Sequence, residues 1–289
     1  MRRASVKKAA RRGPVVLKLG GELLEEQTRL KAVARVIARV AGRQPLVIVH
    51  GGGKEIDAAL TQASIPKHQV DGLRITDEPT LQVVVAVLAG SINTRLVAAI
   101  NAAGGRAVGL TGADAGVGPV RAARPHRATN GELVDLGLVG EPSGNGPAPL
   151  VETLCANHFV PVVACIGASR DGRLFNVNAD TLAGTLAARL RARRLIVAGA
   201  TPGVLNADGE TIPALDVEDV DRLVSSGTAT AGMVAKLRAC REALNAGVGE
   251  VAIADGRKPV RLAGLLAGRR EGSDWTRLKA TSRRSIRGS

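Results

Sequence analysis

Residues 15–21 form the stretch VVLKLGG, and the predicted fold is built outward from it. Its apolar, partly β-branched residues predict a buried strand, and the paired glycines predict a turn whose backbone can approach a ligand. The arrangement recurs, because the apolar stretch PLVIVH at residues 45–50 runs into GGGK at residues 51–54. Two strand-to-glycine junctions of this kind, each with a lysine, predict one anionic ligand held between them.

The residues around these junctions predict an α/β fold. Apolar residues recur at helical spacing from Leu30 to Ala41, so strand, helix and strand form a βαβ unit, which is typical of a largely parallel sheet. A helix is predicted from about Lys54 to Ala63, and its N-terminus, opened by glycine amides, is a further anion site.

The next predicted elements are a hairpin and two helices. Lys67 to Thr76 is expected to be irregular or a hairpin, and Thr76 is the expected N-cap of a helix with Pro79 in its first turn. A second helix is expected from Ile92 to Ala103, separated from the first by a break at Gly90.

Polar residues gather before a later helix. Residues 176–181 form NVNADT, directly before an Ala- and Leu-rich helical stretch. Each of Asn176, Asn178 and Asp180 suits a helix cap, whereas all three within five residues favour a ligand site in which Asp180 holds a cation or an ammonium group. Lys236 follows a small, polar loop at residues 226–233 and lies near the start of another predicted helix.

The net charge of +14 is concentrated at the two ends of the chain. Residues 1–14 contain six basic residues and no acidic one, and the segment from Arg269 contains seven basic residues against two acidic ones. Solvated basic tails account for this pattern and leave the body nearly neutral. Since aromatic residues make up only 1% of the chain, a stacking platform for single-stranded nucleic acid is disfavoured, and we predict no specific nucleic-acid partner.

The cysteines and the hydropathy pattern indicate a compartment. Cys155, Cys165 and Cys240 are odd in number and widely spaced, which indicates reduced, buried thiols rather than disulfides or a metal site. No uninterrupted apolar run reaches the roughly 18 residues of a membrane span. We therefore predict a cytoplasmic protein with no membrane association; the alternative, an organelle transit peptide, would be short at the basic N-terminus.

The candidate ligand site is rich in positive charge. Lys18, Arg74 and Lys236 accompany three glycine-rich loops and one carboxylate, Asp180, a set that is typical of phosphoryl transfer. The sequence contains no GxxxxGK[ST] loop, so a Walker-type site is excluded. His50 is interpreted as a structural hydrogen-bonding residue, which leaves no general base. A hydroxyl acceptor would need one, whereas a carboxylate, with a pKa of about 4, is already ionised.

Six motifs carry a resemblance to a known family. They are VLKLGG (16–21), VIVHGGG (47–53), DGLRITD (71–77), VLAG (87–90), FNVNAD (175–180) and AGMVAK (231–236). In this order and spacing they resemble the acetylglutamate kinases of the amino acid kinase family, over roughly residues 15–268.

The resemblance implies a three-layer αβα sandwich with a largely parallel, mainly eight-stranded central sheet. It also implies an N-terminal lobe at residues 15–190 that binds the amino-acid substrate and a C-terminal lobe at residues 191–268 that binds the nucleotide. Basic tails at residues 1–14 and 269–289 would flank the two lobes.

The function implied by the resemblance is phosphorylation of the γ-carboxylate of N-acetyl-L-glutamate by ATP with Mg²⁺, the second step of arginine biosynthesis. Lys18 and Lys236 would stabilise the transferring phosphoryl group, Asp180 would hold both ammonium groups, and no residue is implied as a metal ligand. The implied substrate-binding residues are Gly52, Gly53, Arg74, Asn176 and Asn178. The implied nucleotide-binding residues are Gly20, Gly21, Thr201, Gly203, Val204, Leu205, Thr228, Ala229 and Thr230.

The chain departs from the family pattern in two places. Family members often carry an acidic residue just before the Val-x-Gly of the nucleotide loop, and Gly199-Ala200 stand there, which removes a carboxylate from the nucleotide side. The arginine-inhibited hexameric members have a longer N-terminal helix, whereas fourteen residues precede Val15 and span about 21 Å even if fully helical. We therefore predict a homodimer that arginine does not inhibit.

Two alternatives stay open. The first is a kinase for a related carboxylate such as an aminoadipate derivative, against which the NVNAD motif at residues 176–180 argues. The second is a non-catalytic amino-acid-binding regulator on the same fold, which would be expected to lack one of Lys18 and Lys236, yet both are present.

Overall fold

The computed structural model describes residues 13–225, 231–269 and 274–279. Within these ranges the strands are β1 (Val15–Leu19), β2 (Leu46–His50), β3 (Gln69–Val70), β4 (Leu73–Arg74), β5 (Ala107–Thr111), β6 (Val120–Ala122), β7 (His126–Arg127), β8 (Leu133–Val134), β9 (Val139–Pro142), β10 (Val160–Ala164), β11 (Ile166–Ala168), β12 (Leu174–Val177), β13 (Arg194–Gly199), β14 (Ala214–Leu215), β15 (Val251–Asp255) and β16 (Trp275–Leu278). The helices are α1 (Gln27–Ala41), α2 (Gly53–Gln62), α3 (Glu78–Ala102), α4 (Pro149–Ala156), α5 (Ala179–Arg189), α6 (Val217–Ser225), α7 (Ala231–Asn245) and α8 (Pro259–Ala267).

Eight strands form the main sheet, in the order β14-β16-β15-β13-β1-β2-β10-β5. β1 lies near its centre and pairs in parallel with β2 and β13, so that Leu19 is opposite both His50 and Ala198. β16 runs antiparallel to β15, and β14 runs parallel to β16. The predicted largely parallel, mainly eight-stranded sheet is confirmed.

Helices cover both faces of this sheet. Every residue of β1, β2, β10 and β15 is buried. Parallel strands of this kind, buried on both faces, require a helical layer on each side. α1 packs against α3 and α8, whereas α5 packs against α7. The core is built mainly from Val, Leu, Ile and Ala, as the scarcity of aromatic residues requires.

A smaller sheet of four strands, in the order β11-β12-β9-β6, covers part of the carboxyl edge of the main sheet. The chain leaves the main sheet after Ala164 and enters the smaller one at Ile166, so one apolar stretch is divided between two sheets. A hairpin turn at Asp171-Gly172 joins β11 to β12, and the predicted hairpin before Thr76 is the β3–β4 pair.

Two local predictions in this region are wrong. The N-cap of α3 is Asp77, whose carboxylate accepts a hydrogen bond from the Thr80 amide at 2.9 Å, while Thr76 is buried. The expected break at Gly90 is absent, because residues Ala86–Ile92 form a π-helical segment that carries the helix through. Gly90 is exposed, and a Cβ at this position would have no neighbour within 4 Å. Its only cost to the helix is therefore the low helix propensity of glycine, about 1 kcal/mol relative to alanine.

By length and composition alone, α3 could cross a membrane, since its most apolar window has a mean hydropathy of 1.9. In the fold, α3 packs against α1 and β5, and 39% of that window is buried within the chain. A core helix of an α/β layer passes the same composition test.

The C-terminal segment departs from the expected basic tail. Trp275, Thr276 and Leu278 are buried in β16, which lies between β14 and β15. The Thr276 hydroxyl accepts a hydrogen bond from the Val204 amide at 2.8 Å and donates one to the Ile212 carbonyl at 2.7 Å. The surrounding arginines and lysines hide this short apolar stretch in the sequence, because the strand is stabilised by its neighbours rather than by its own composition.

Candidate active site

The glycine-rich loops meet at the carboxyl edge of the main sheet. Because β1, β2 and β13 are parallel and in register, the loops that follow Leu19, His50 and Gly199 leave from the same edge. The two predicted junctions touch: a Cβ on Gly21 would lie 2.8 Å from the Cα of Gly52. Only glycine permits this close approach, because any side chain at Gly21 would separate the two loop backbones.

A cluster of one carboxylate and two ammonium groups lies beneath these loops. Asp180 contacts Lys18 at 2.9 Å through Oδ1 and Lys236 at 3.2 Å through Oδ2. Lys18 comes from β1, Asp180 from the first turn of α5 and Lys236 from α7, and the packing of α5 on α7 brings the last two together. We call these three residues the lysine–aspartate cluster.

The lysine–aspartate cluster is almost completely buried, with side-chain exposures of 8%, 11% and 16% for Lys18, Asp180 and Lys236. Burial alone would lower the pKa of Lys18, but the adjacent Asp180 carboxylate outweighs burial and raises it. Burial would likewise raise the pKa of Asp180, yet the two lysines hold it below its ordinary value. Lys18 and Asp180 are therefore both charged at neutral pH, and the cluster sets one carboxylate against two lysine side chains.

A second polar group lies on the substrate side predicted from the sequence. The Arg74 guanidinium pairs with Asp57 of α2 and reaches the Gly53 carbonyl at 3.4 Å. Its side chain is 9% exposed, and its Nη1 atom is buried without a hydrogen-bond partner. A buried donor without a partner costs free energy until an acceptor fills it. Asp57, which orients Arg74, was missed because its carboxylate looks like an ordinary helix-surface residue in the sequence.

Asn176 and Asn178 occupy different positions. Asn176 donates to the Thr76 hydroxyl at 3.2 Å, and that hydroxyl donates to the Arg74 carbonyl, so Asn176 is linked to the substrate side. Asn178 is the N-cap of α5, and its Oδ1 accepts hydrogen bonds from the amides of Asp180 and Thr181 at 2.9 and 3.1 Å. Asn178 thereby fixes the start of the helix that presents Asp180.

Four of the predicted nucleotide residues, within positions 201–205, lie along the loop after β13. Thr201 is exposed, whereas Val204 is 2% exposed and its amide is bonded to the Thr276 hydroxyl. Gly203 lies so close to Thr276 that a Cβ would meet the hydroxyl at 2.5 Å. Leu205 is 43% exposed. The predicted contacts at residues 228–230 (Thr228, Ala229 and Thr230) fall outside the described residues.

Glu22 stands on the side predicted to bind the nucleotide, and the sequence reasoning missed it. Its Oε1 accepts a hydrogen bond from the Ala200 amide at 2.9 Å, and the carboxylate lies so close to Gly20 that a Cβ there would clash with it. Its negative charge contributes to the raised pKa values of Lys18 and Arg257. A carboxylate is therefore present beside residue 200, supplied by the glycine loop itself. Its position directly after Gly20-Gly21 was the available signal.

His50 is buried under the glycine loop. Its Nδ1 lies 3.3 Å from the Gly51 carbonyl and its Nε2 lies 3.2 Å from Nδ2 of Asn93, which also donates to the Val162 carbonyl at 2.9 Å. Burial lowers the pKa of His50 to about 4, so the ring is neutral at pH 7. These contacts favour the structural interpretation.

The three cysteines are free thiols. Cys165 and Cys240 are buried and Cys155 is half-buried. Burial raises the pKa of each thiol to about 12, so none is a thiolate at neutral pH.

The fold and this site agree with the comparisons with known proteins. The model of the amino acid kinase family matches residues 13–255. The chain belongs to the amino acid kinase family. A relative named acetylglutamate kinase, from Parvibaculum lavamentivorans, is 43% identical over 260 residues, which cover 87% of this chain and 84% of the relative. The resemblance seen in the motifs is confirmed.

Solved structures of other proteins share the fold. N-acetylglutamate synthase from Neisseria gonorrhoeae, complexed with coenzyme A and N-acetyl-glutamate, is similar with a TM-score of 0.77 at 23% identity. This match covers 96% of the present chain, which spans only 62% of the synthase chain. Carbamate kinase from Giardia lamblia, bound to citric acid, is similar with a TM-score of 0.66 at 14% identity over 93% of this chain and 99% of that one. At such identities the likeness supports the fold alone.

Proposed function

We propose that this amino acid kinase family member transfers the γ-phosphoryl group of ATP to the γ-carboxylate of N-acetyl-L-glutamate, the second step of arginine biosynthesis. The observation that carries the proposal is the lysine–aspartate cluster buried beneath the joined glycine loops. The relatives named acetylglutamate kinase support the choice of substrate.

Charge stabilisation is the main task of the site. As the new bond forms between the γ-carboxylate oxygen and phosphorus, the bond from phosphorus to the bridging oxygen breaks and ADP leaves with the electron pair. Lys18 and Lys236 present two ammonium groups to the negative charge on the transferring oxygens, in surroundings where water does not screen them. Asp180 holds both lysines in place, so their reorganisation during the reaction costs little. No proton moves, which agrees with the lack of a general base.

The substrate is held by its α-carboxylate. The Nη1 atom of Arg74 is buried and has no hydrogen-bond partner, so it is available to donate to a ligand. A guanidinium group binds a carboxylate well because its donors match the two carboxylate oxygens. Asn176 is connected to Arg74 through Thr76 and is available to the same ligand. The amides of Gly52 and Gly53, at the N-terminus of α2, add main-chain donors.

The nucleotide lies on the side of Gly20, Gly21 and the loop after β13. When bound with ATP, Mg²⁺ neutralises phosphate charge and orients the γ-phosphoryl group. Among the residues that the structure describes, no three His, Cys, Asp or Glu side chains cluster as a metal site. This suits Mg²⁺, which keeps several waters and commonly binds substrate phosphates with one or two carboxylates. Glu22 is the half-exposed carboxylate in position to meet the metal or its waters.

The two predicted lobes form part of the proposal. Residues 15–190 would contribute the substrate half, including Arg74, and residues 191–268 the nucleotide half. The main sheet passes through both, since β1 and β13 pair directly. Lys18 comes from one half and Lys236 from the other, so the phosphoryl group would be transferred at their junction.

Assembly and location are proposed as a cytoplasmic homodimer that arginine does not inhibit. β5 is one of the two edge strands of the main sheet, and the edge of such a strand can meet a second copy. Sedimentation analysis gives the mass in solution, and a mass of one chain or six would contradict the homodimer. Activity that falls with added arginine would contradict the second part.

The experiment that tests the activity measures ADP formation with N-acetyl-L-glutamate and with the N-acetylated aminoadipate homologue, in the presence of ATP and Mg²⁺. Hydroxylamine in the reaction traps an acyl phosphate as a hydroxamate, which proves a carboxylate acceptor. A preference for the longer substrate would contradict the proposal and support the aminoadipate alternative. If neither substrate gave a hydroxamate, a non-catalytic regulator would be favoured.

A further inference from the structure

A long groove lies between α1 and α8, on the outer surface of the helix layer and away from the lysine–aspartate cluster. It encloses a cavity of about 590 Å³. Val36 and Val40 of α1 line it together with Val260 and Ala263 of α8. Val36 and Val40 are only 6% and 7% exposed and belong to the core, whereas Val260 is 83% exposed. The apolar part of the groove that is open to solvent therefore lies on α8, at Val260 and the half-buried Ala263.

Arginine side chains border this groove. Arg35, Arg39 and Arg43, which we call the arginine row, are four residues apart along α1 and its C-terminal turn, and Arg269 lies across from them. In the described part of the chain, the three side chains of the arginine row form no hydrogen bond or ion pair. Like charges four residues apart destabilise a helix by roughly 0.2–0.5 kcal/mol per pair, so the row weakens α1 unless an anion offsets it.

In the ranges 27–44 and 258–269, which the structure describes, no acidic side chain compensates for this charge. Residues 27–44 contain five basic residues and no acidic one, and residues 258–269 contain three basic residues and no acidic one. Of the described acidic groups on neighbouring segments, Asp274 pairs with Arg261 and Glu250 pairs with Arg194. The body of the protein between the basic tails is nearly neutral, so the positive charge of the groove is higher than that of the average surface.

We propose that the groove between α1 and α8 is a docking site for an acidic amphipathic helix of a partner protein. The arginine row repeats every ~6 Å along α1, and glutamates at positions i, i+4 and i+8 of a helix lying alongside repeat at the same interval. Aliphatic side chains on the same face of the partner would cover Val260 and Ala263. This is the helix-in-groove mode of recognition, with charge setting the register.

Other occupants fit the groove less well. The terminal segments of this chain are basic, with six basic residues and no acidic one at residues 1–14, so they are repelled by the arginine row. A nucleic acid or polyphosphate would satisfy the arginines but leave the exposed Val260 without an apolar partner. Only an occupant that is acidic and aliphatic together matches both parts.

The test uses the full-length chain and a fluorescent synthetic helix of about five turns, with glutamates at every fourth position and leucines on the adjacent face. Fluorescence anisotropy at roughly 0.15 M salt, where long-range attraction is screened, measures its dissociation constant. We expect saturable binding that the triple variant Arg35→Gln/Arg39→Gln/Arg43→Gln weakens at least about tenfold, which is about 1.4 kcal/mol. Val260→Asp, which places a like-charged carboxylate in the apolar part of the groove, should weaken it similarly.

The matched control is Arg121→Gln/Arg127→Gln/Arg170→Gln, which removes the same charge from exposed arginines elsewhere. Equal weakening by this control, or equal binding of a peptide with glutamine in place of glutamate, would overturn the proposal. Tighter binding of duplex DNA or polyphosphate through the arginine row would also overturn it, as would self-association that Val260→Asp abolishes. Circular dichroism checks that each variant folds, and if the triple variant does not, Val260→Asp and the glutamine peptide decide the outcome.

Discussion

The lysine–aspartate cluster and the arginine row both gather positive charge, but they do so under opposite physical conditions. Lys18 and Lys236 are buried, and Asp180 compensates for them at 2.9 and 3.2 Å. The side chains of the arginine row are exposed and form no ion pair with another described residue. Buried charge must be paired within the chain because water cannot solvate it, whereas exposed charge can wait for a ligand or partner.

The difference separates residues that fix the structure from residues that remain available. Removing a member of the lysine–aspartate cluster should affect both activity and stability. Removing a member of the arginine row should leave activity unchanged and raise stability by at most a few tenths of a kcal/mol per like-charge pair removed. Its main effect should be on the binding of an acidic partner. The following predictions test this contrast.

The largest expected effect is on turnover. Lys18→Ala and Lys236→Ala should each lower kcat by about 100- to 1000-fold, because each removes one preorganised donor to the transferring phosphoryl group. Arg39→Gln removes an equal charge from the arginine row and should leave kcat unchanged. Steady-state ADP release measures both, and an intact kcat in either lysine variant would contradict the catalytic roles proposed here.

The second prediction concerns stability. Asp180→Asn should lower the free energy of unfolding by about 3–5 kcal/mol, because two buried ammonium groups lose their counter-charge. The control is Asp221→Asn, which breaks a surface pair with Arg241 and should cost less than about 1 kcal/mol. Urea unfolding measures the two, and similar losses would show that burial does not distinguish these ion pairs.

The third prediction concerns pH. The pKa of His50 is lowered to about 4 in the folded protein, whereas it is about 6.5 in the unfolded chain. Between these two pH values the unfolded chain binds a proton at His50 and the folded protein does not. The stability contributed by neutral His50 is full above about pH 6.5 and should fall by up to about 3 kcal/mol as the pH drops to about 4.

His50→Asn should flatten this part of the pH profile, measured as the free energy of unfolding in urea at a series of pH values. His68→Gln, a change at an exposed histidine, should leave the profile as it is. A profile of unchanged slope in His50→Asn would place the acid sensitivity at other groups.

The smallest effect is expected at Glu22. Glu22→Gln keeps an acceptor for the Ala200 amide but removes the carboxylate that would hold Mg²⁺ or its waters, so the KM for Mg-ATP should rise about fivefold, which is about 1 kcal/mol. The KM for the amino-acid substrate should change little. Glu26→Gln, at an exposed position nearby, is the control. A similar rise in both KM values would assign Glu22 a role in holding the two loops together, rather than one towards the nucleotide.

The sequence predicted the elements that carry their own signal. The strand and glycine pairs around Lys18, the apolar helix after them and the NVNAD stretch were recognisable because strand, turn and cap preferences are local. The errors have local causes too. Asp77 competed with Thr76 as an N-cap of similar propensity, and the short strand at Trp275–Leu278 was hidden by basic neighbours because its stability comes from β14 and β15.

By itself, the sequence determined the α/β class, the family and the residues that form the lysine–aspartate cluster. Only the tertiary structure decided which side chains surround them. Glu22 meets Ala200 across 178 positions of sequence, and Asp57 orients Arg74 from a different element. The groove between α1 and α8 joins segments more than two hundred residues apart. Such contacts depend on how helices and strands pack in three dimensions, and no spacing along the chain encodes them locally.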